Sequence, residues 1–195
     1  MTDADSNGSS TLVLPLRVHV LSSLEFRLFA TSSDAEVGAM LDRVNEIWGA
    51  AEIRFELESI VREALDDAPL LPILQGGGMI TVGQFGAALP VNRLLANGWD
   101  LFIVRDLTSV AGVPGVFFPS IPGASGSEVD PAGINDPGRI LAHELGHSLG
   151  LAHVACPPEG NLMAPGCAGA DRGRLTAGQI AAARAQAGTG GPARF

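Results

Sequence analysis

Residues 143–153 read His-Glu-Leu-Gly-His-Ser-Leu-Gly-Leu-Ala-His, and this string constrains the fold more than any other stretch of the 195-residue chain. His143 and His147 are four apart, so on a helix they stand one turn apart on one face and offer two imidazole nitrogens to a single ion. A third ligand requires the chain to turn back at once. Gly150 is placed for that, because a residue just past a helix end often takes left-handed dihedrals that cost glycine little. His153 can then reach the same metal. Three of the four histidines in the sequence fall within this string, a concentration that an ordinary polar helix face does not explain.

Three neutral imidazoles leave one position of a tetrahedral zinc open, the arrangement of a catalytic site rather than a sealed structural one. Water in that position has a pKa near ~7 instead of ~15.7, which makes a nucleophile available at neutral pH. Glu144 is next to a ligand on the same helix, where a carboxylate can take a proton from water and later pass it to a leaving amine. The expectation is one catalytic zinc held by His143, His147 and His153, with Glu144 as general base.

The string HELGHSLGLAH resembles the HExxHxxGxxH signature of the metzincin zinc peptidases, and Asn161-Leu162-Met163-Ala164-Pro165 resembles their Met-turn. The resemblance implies a zincin-like α/β (α+β) fold: a mixed, twisted sheet of about five strands with an active-site helix, then a small C-terminal lobe with one helix. It implies that Met163 lies beneath the three histidines as an apolar floor and does not bind the metal. An edge strand above the active-site helix would pair with extended substrate, and Gly115, Val116, Phe117 and Phe118 are the candidates. The chain contains no tyrosine, so the extra Tyr ligand of astacin-like and serralysin-like members is missing. The histidines of the second, structural zinc of matrixins are missing too. The resemblance therefore points to a matrixin-like or small bacterial branch with a single zinc.

The remaining elements follow from periodicity. Thr11 to Leu21 alternates and is rich in β-branched residues, a first strand with His19 on one face. Ser33 and Glu36 form a capping box that opens a helix running to Gly49, with Val37, Leu41, Val44 and Trp48 on its core face. Ile53 to Ile60 alternates apolar and charged residues as a half-buried strand, and strand, helix, strand implies a right-handed parallel crossover. Residues 61–89 include three consecutive glycines without the lysine of a P-loop; they read as a flexible connection, with room to pack over the sheet, of unassigned function. Pro90 and Gly98 bracket a short helix. Trp99 to Leu107 reads as a strand buried on both faces, and the prolines around Gly115 to Phe118 mark an edge strand. A Gly/Pro/Ser-rich loop follows, with a short strand near Glu128 and Val129. Asp130 and Asp136 offer oxygen ligands for a structural calcium, although Asp136 is also the natural N-cap of the zinc helix ahead of Pro137. Thr176 and Gln179 form a capping box for a helix through Ala187, and Gly188 to Phe195 reads as a frayed tail.

The domain reading is a flexible tail over residues 1–10 and a single catalytic domain over 11–195, split into an upper lobe (11–150) and a lower lobe (151–195). Cys156 and Cys167 flank the expected Met-turn and either close a disulfide that staples the lower lobe or remain a reduced pair. A net charge of −9 argues against nucleic acid and anionic membranes as partners; the expected partner is a peptide or protein substrate, and the expected state is a monomer. The short opening stretch lacks a secretory leader and room for an inhibitory pro-segment. It reads as cytoplasmic as written, or secreted if this is a trimmed mature form.

Two other readings keep the metal. One is an intracellular zinc hydrolase for a specific small peptide or amide, for example in a biosynthetic pathway, which would leave casein or gelatin intact. The other is a non-catalytic zinc-binding module, against which Glu144 argues, since a binding protein has no use for a base beside an open coordination position.

Overall fold

The structure, a computed structural model, describes residues 10–121, 123–129, 136–157, 160–165 and 173–193. Five strands form one sheet in the order β2-β1-β3-β5-β4. These are β1 (Leu12–Ser22), β2 (Ile53–Ala64), β3 (Trp99–Val104), β4 (Gly115–Phe118) and β5 (Gly123–Ser127). β1, β2, β3 and β5 run parallel, and β4 pairs antiparallel with β5 at the edge. Helix α1 (Asp34–Gly49) connects β1 to β2, and its Ser33–Glu36 capping box is formed as the sequence predicts. A single helical turn, α4 (Thr108–Ala111), follows β3, and helices α5 (Pro137–Ser148) and α6 (Ala177–Ala187) also start at their predicted caps, Asp136 and Thr176.

Each face of the sheet carries its own core. On one face, Leu16, Val18, Phe55 and Trp99 pack with Trp48 of α1 and Leu145 of α5. β3 explains the second core: all six of its residues are buried, with Leu101 and Ile103 facing the first core and Phe102 and Val104 the other. β2 keeps Ile53, Phe55 and Ile60 on the first core, which simple alternation forbids. The register shift between Leu16 and Arg17 adds one residue on β2, Glu58, and restores the face.

Three expectations are corrected. Residues 61–89 pack over the sheet but are not a flexible connection: β2 continues to Ala64, and α2 (Leu71–Gln75) and α3 (Val82–Ala87) bury Leu74 and Phe85 in the second core, with Ile80 buried between them. The alternating pattern ends before these helices, and two helices of five and six residues are too short to display a 3.6-residue period. Between Pro90 and Gly98 the helix reduces to one 3-10 turn, Val91–Arg93. The strand expected near Glu128 and Val129 is β5, at Gly123–Ser127, built from residues with little strand propensity because helix α5 packs directly on it. A Cβ on Gly126 would meet Leu141 Cδ2 at 2.5 Å.

His19 is a strand-face residue, as expected, but fully buried. Its ring stacks on Phe102 at 4.5 Å between centroids. Nδ1 meets Glu63, and Nε2 lies 2.9 Å from Asp100 Oδ1, which ties β1 to both neighbouring strands. No helix among the described residues is long and apolar enough to cross a membrane.

Candidate metal centre

Helix α5 carries the first two histidines. Asp136 caps it by accepting from the Arg139 amide at 2.6 Å, and Asp136 Oδ2 also pairs with Arg43. That carboxylate is accounted for without calcium, and Asp130 lies outside the described residues. At the other end the Gly150 N–H donates to the His147 carbonyl and the Leu151 N–H to the Gly146 carbonyl, at 2.9 and 3.0 Å, the paired bonds of a Schellman motif. Gly150 has φ +79°, as the sequence predicts. The chain reverses there and brings His153 back to the helix.

His153 Nε2 stands 3.0 Å from Nε2 of both His143 and His147. Nitrogens on a tetrahedral zinc with bonds of about 2.0–2.1 Å are separated by about 3.3 Å, so only a few tenths of an ångström of adjustment is needed. The outer nitrogens fix the tautomers. His143 Nδ1 donates to the Leu162 carbonyl and His147 Nδ1 to the Leu151 carbonyl, both at 2.7 Å. In neutral rings this leaves Nε2 of each as a bare lone pair facing the centre. A proton on His153 can satisfy one of those lone pairs, not both; a cation satisfies all three rings. Among the described residues this is the one group of His, Cys, Asp or Glu arranged to hold a metal.

Burial pushes the His143 imidazole down to about 4, reinforced by His147, His153 and Arg139 and opposed by its bond to Leu162. Burial also lowers His147. Both rings are therefore neutral at pH 7, the form that ligates. Burial alone pushes Glu144 up to about 8.

Glu144 and His147 line a cleft of about 480 Å³ together with His153, Leu151 and the start of β4. Of the four edge-strand candidates, Gly115, Val116 and Phe117 border this cleft, whereas Phe118 turns into the second core against Phe85. Gly115 is required by contact. A Cβ there would lie 2.7 Å from Glu144 Cγ and 2.8 Å from Oε1, so the edge strand passes directly over the carboxylate.

Met163 is fully buried and lies under α5: a Cβ on Gly146 would meet its Sδ at 2.5 Å. Asn161 holds this segment. Its Oδ1 accepts from the Met163 amide at 2.9 Å and its Nδ2 donates to Gln179 Oε1 of α6 at 2.8 Å. Cys156 is disulfide-bonded, and Cys167 lies outside the described residues. The tail is not frayed through Ala193, whose buried amide donates to the Ser148 carbonyl at 2.7 Å.

Sequence reasoning singled out the three histidines that converge, the adjacent Glu144, the bend at Gly150 and the buried Met163. It missed the Leu151 and Leu162 carbonyls, Asn161, and the close contacts at Gly115 and Gly146. Backbone acceptors leave no trace in residue identity. Gly115 stood out as an edge-strand residue and Gly146 and Asn161 as parts of the quoted motifs, but none of them for the contact it makes.

Neither a protein-family model nor a curated protein matches the sequence. Among solved structures, archaemetzincin from Methanopyrus kandleri aligns over 94% of this chain and 98% of its own, with a TM-score of 0.56 and 16% identity. The fold of the chain is zincin-like. A chaperone–substrate complex aligns over 80% of this chain and 28% of the other, with a TM-score of 0.52 and 15% identity. Metalloproteinase-II from Bacteroides fragilis aligns over 92% and 55%, with a TM-score of 0.47 and 11% identity.

Proposed function

We propose that the protein is a zinc-dependent endopeptidase of metzincin type, with His143, His147 and His153 as metal ligands and Glu144 as general base. The observation that carries this reading is the convergence of three Nε2 atoms, two held as bare lone pairs by backbone acceptors, beside a carboxylate that opens on a cleft. When bound, zinc supplies a Lewis acid that polarises the scissile carbonyl and acidifies water at its open position. Glu144 does the proton work: held neutral at pH 7 by burial in the metal-free protein, its carboxyl would ionise beside a dication, and as carboxylate it takes one proton as the water oxygen bonds to the carbonyl carbon, then delivers it to the amine nitrogen as the C–N bond breaks. Its contact with Gly115 fixes where that carboxylate stands relative to an extended chain on β4. Met163 supports the helix from below and keeps the ligand face in place.

Among the described residues β4 is last in the sheet order, and an edge left open there favours an extended peptide over a single small amide, because backbone pairing along a strand needs several residues of substrate. Zinc-loaded protein should cleave members of a peptide library internally. Glu144→Gln should retain one zinc per chain and lose turnover by at least ~10²-fold. Unchanged turnover in that variant contradicts the mechanism, and cleavage confined to one small amide contradicts the substrate class.

A further inference from the structure

The segment between β2 and β3, in which the sequence shows no function, forms one wall of the cleft. Val82, the first residue of α3, lines it together with Val113 and Val116. This wall is built as a unit. Thr81 and Gln84 cap the start of α3 reciprocally, with the Thr81 amide donating to Gln84 Oε1 at 2.8 Å and the Gln84 amide to Thr81 Oγ1 at 3.2 Å. One turn later Phe85 is fully buried and packs on Phe118 of the edge strand, 6.1 Å between ring centroids. Gly86 sits so close to that ring that a Cβ would lie 2.7 Å from Phe118 Cε1. The Ile80 amide donates to the Val110 carbonyl at 2.9 Å, which ties α3 to the loop bearing Val113. α3 therefore keeps its position relative to the strand that borders the catalytic carboxylate.

The chemistry of the lining is one-sided. Among the described residues around the cleft only Glu144, His147 and His153 can carry charge, and these belong to the metal centre. Val82, Val113 and Val116 are each half-buried against the second core, so their exposed sides present methyl groups at a fixed distance from β4. A charged substrate side chain placed there would lose water and gain no partner. An apolar one would bury surface on both sides.

Resting on the peptidase reading, we propose that Val82, with Val113, determines specificity by selecting peptides that carry a medium-sized apolar side chain at one position flanking the scissile bond. The expected preference for Leu or Met over Lys or Glu at that position is at least ~10-fold, in the range an apolar pocket provides. Two measurements on the full-length, zinc-loaded protein test this. The first is the cleavage profile of peptides varied one position at a time. The second is fluorescence anisotropy of the same peptides on the Glu144→Gln protein, which reads binding without turnover. Val82→Asp should reverse the preference at a single position, Lys over Leu, in both measurements, and leave the other positions as in the parent. Asp is favourable in the first turn of a helix, so α3 should persist; Val82→Ala, which adds no charge, should widen that one position toward larger side chains such as Phe. A profile unchanged in both variants overturns the assignment, as does a uniform loss of binding in Val82→Ala. Binding selectivity without any cleavage would sink the peptidase reading and leave this wall standing; cleavage indifferent to residue 82 would do the reverse.

Discussion

Glu144 and Gly115 are the two residues whose roles separate most cleanly. A methyl group on Gly115 would collide with the Glu144 side chain at 2.7 Å, so Gly115→Ala must displace either the carboxylate or the edge strand. Small misplacements of a catalytic group are costly. This variant should bind zinc as the parent does and lose at least ~10-fold in kcat/KM, measured on a peptide the parent cleaves. Glu144 also sets a pH dependence for the metal-free protein. Its carboxyl titrates near 4.5 when unfolded and is pushed up to about 8 when folded, so across that window the folded state binds the additional proton and stability falls as pH rises. His143 acts at the acid side: 6.5 unfolded and about 4 folded, with stability lost as pH falls through that window. Thermal melts of metal-free protein between about pH 5 and about pH 8 should show a declining alkaline limb, and Glu144→Gln should flatten it. An identical limb in the variant would assign the effect elsewhere.

At the scale of elements, the turn after α5 joins two of the three converging histidines. Gly150 at φ +79° closes the helix, and the same turn presents the Leu151 carbonyl to His147 Nδ1 and directs His153 inward. Gly150→Ala should cost about 1–2 kcal/mol from the left-handed dihedral, and zinc should bind more weakly because two of three ligands depend on that turn. Calorimetric melting and competitive zinc titration would measure the two effects. Helix boundaries such as Ser33, Asp136 and Thr176 were legible in the sequence because a cap is a local bond between a side chain and a nearby amide. β5 was not, because Gly123 and Gly126 are dictated by neighbours, Phe102 and Leu141, that approach from elsewhere in the chain. The three-histidine cluster stood out for the first reason: its members are spaced along eleven consecutive residues.

The molecule as a whole is a sheet between two cores, and the two faces divide the labour. The first core carries α5 and seats Met163 beneath it; the second locks the segment between β2 and β3 against the edge strand. Phe85→Ala should cost about 3–5 kcal/mol and increase hydrogen exchange across residues 79–89 while leaving zinc stoichiometry intact. Loss of zinc in that variant would show that the two faces are not independent. The central claim is the three-imidazole site with one position free of protein. Zinc-edge X-ray absorption on the loaded full-length protein tests it most directly. Three imidazole nitrogens and one light, non-protein donor at about 2.0–2.1 Å are predicted, with an imidazole removed in His153→Ala; a sulfur shell, or a fourth side-chain ligand closing the ion, would contradict the account.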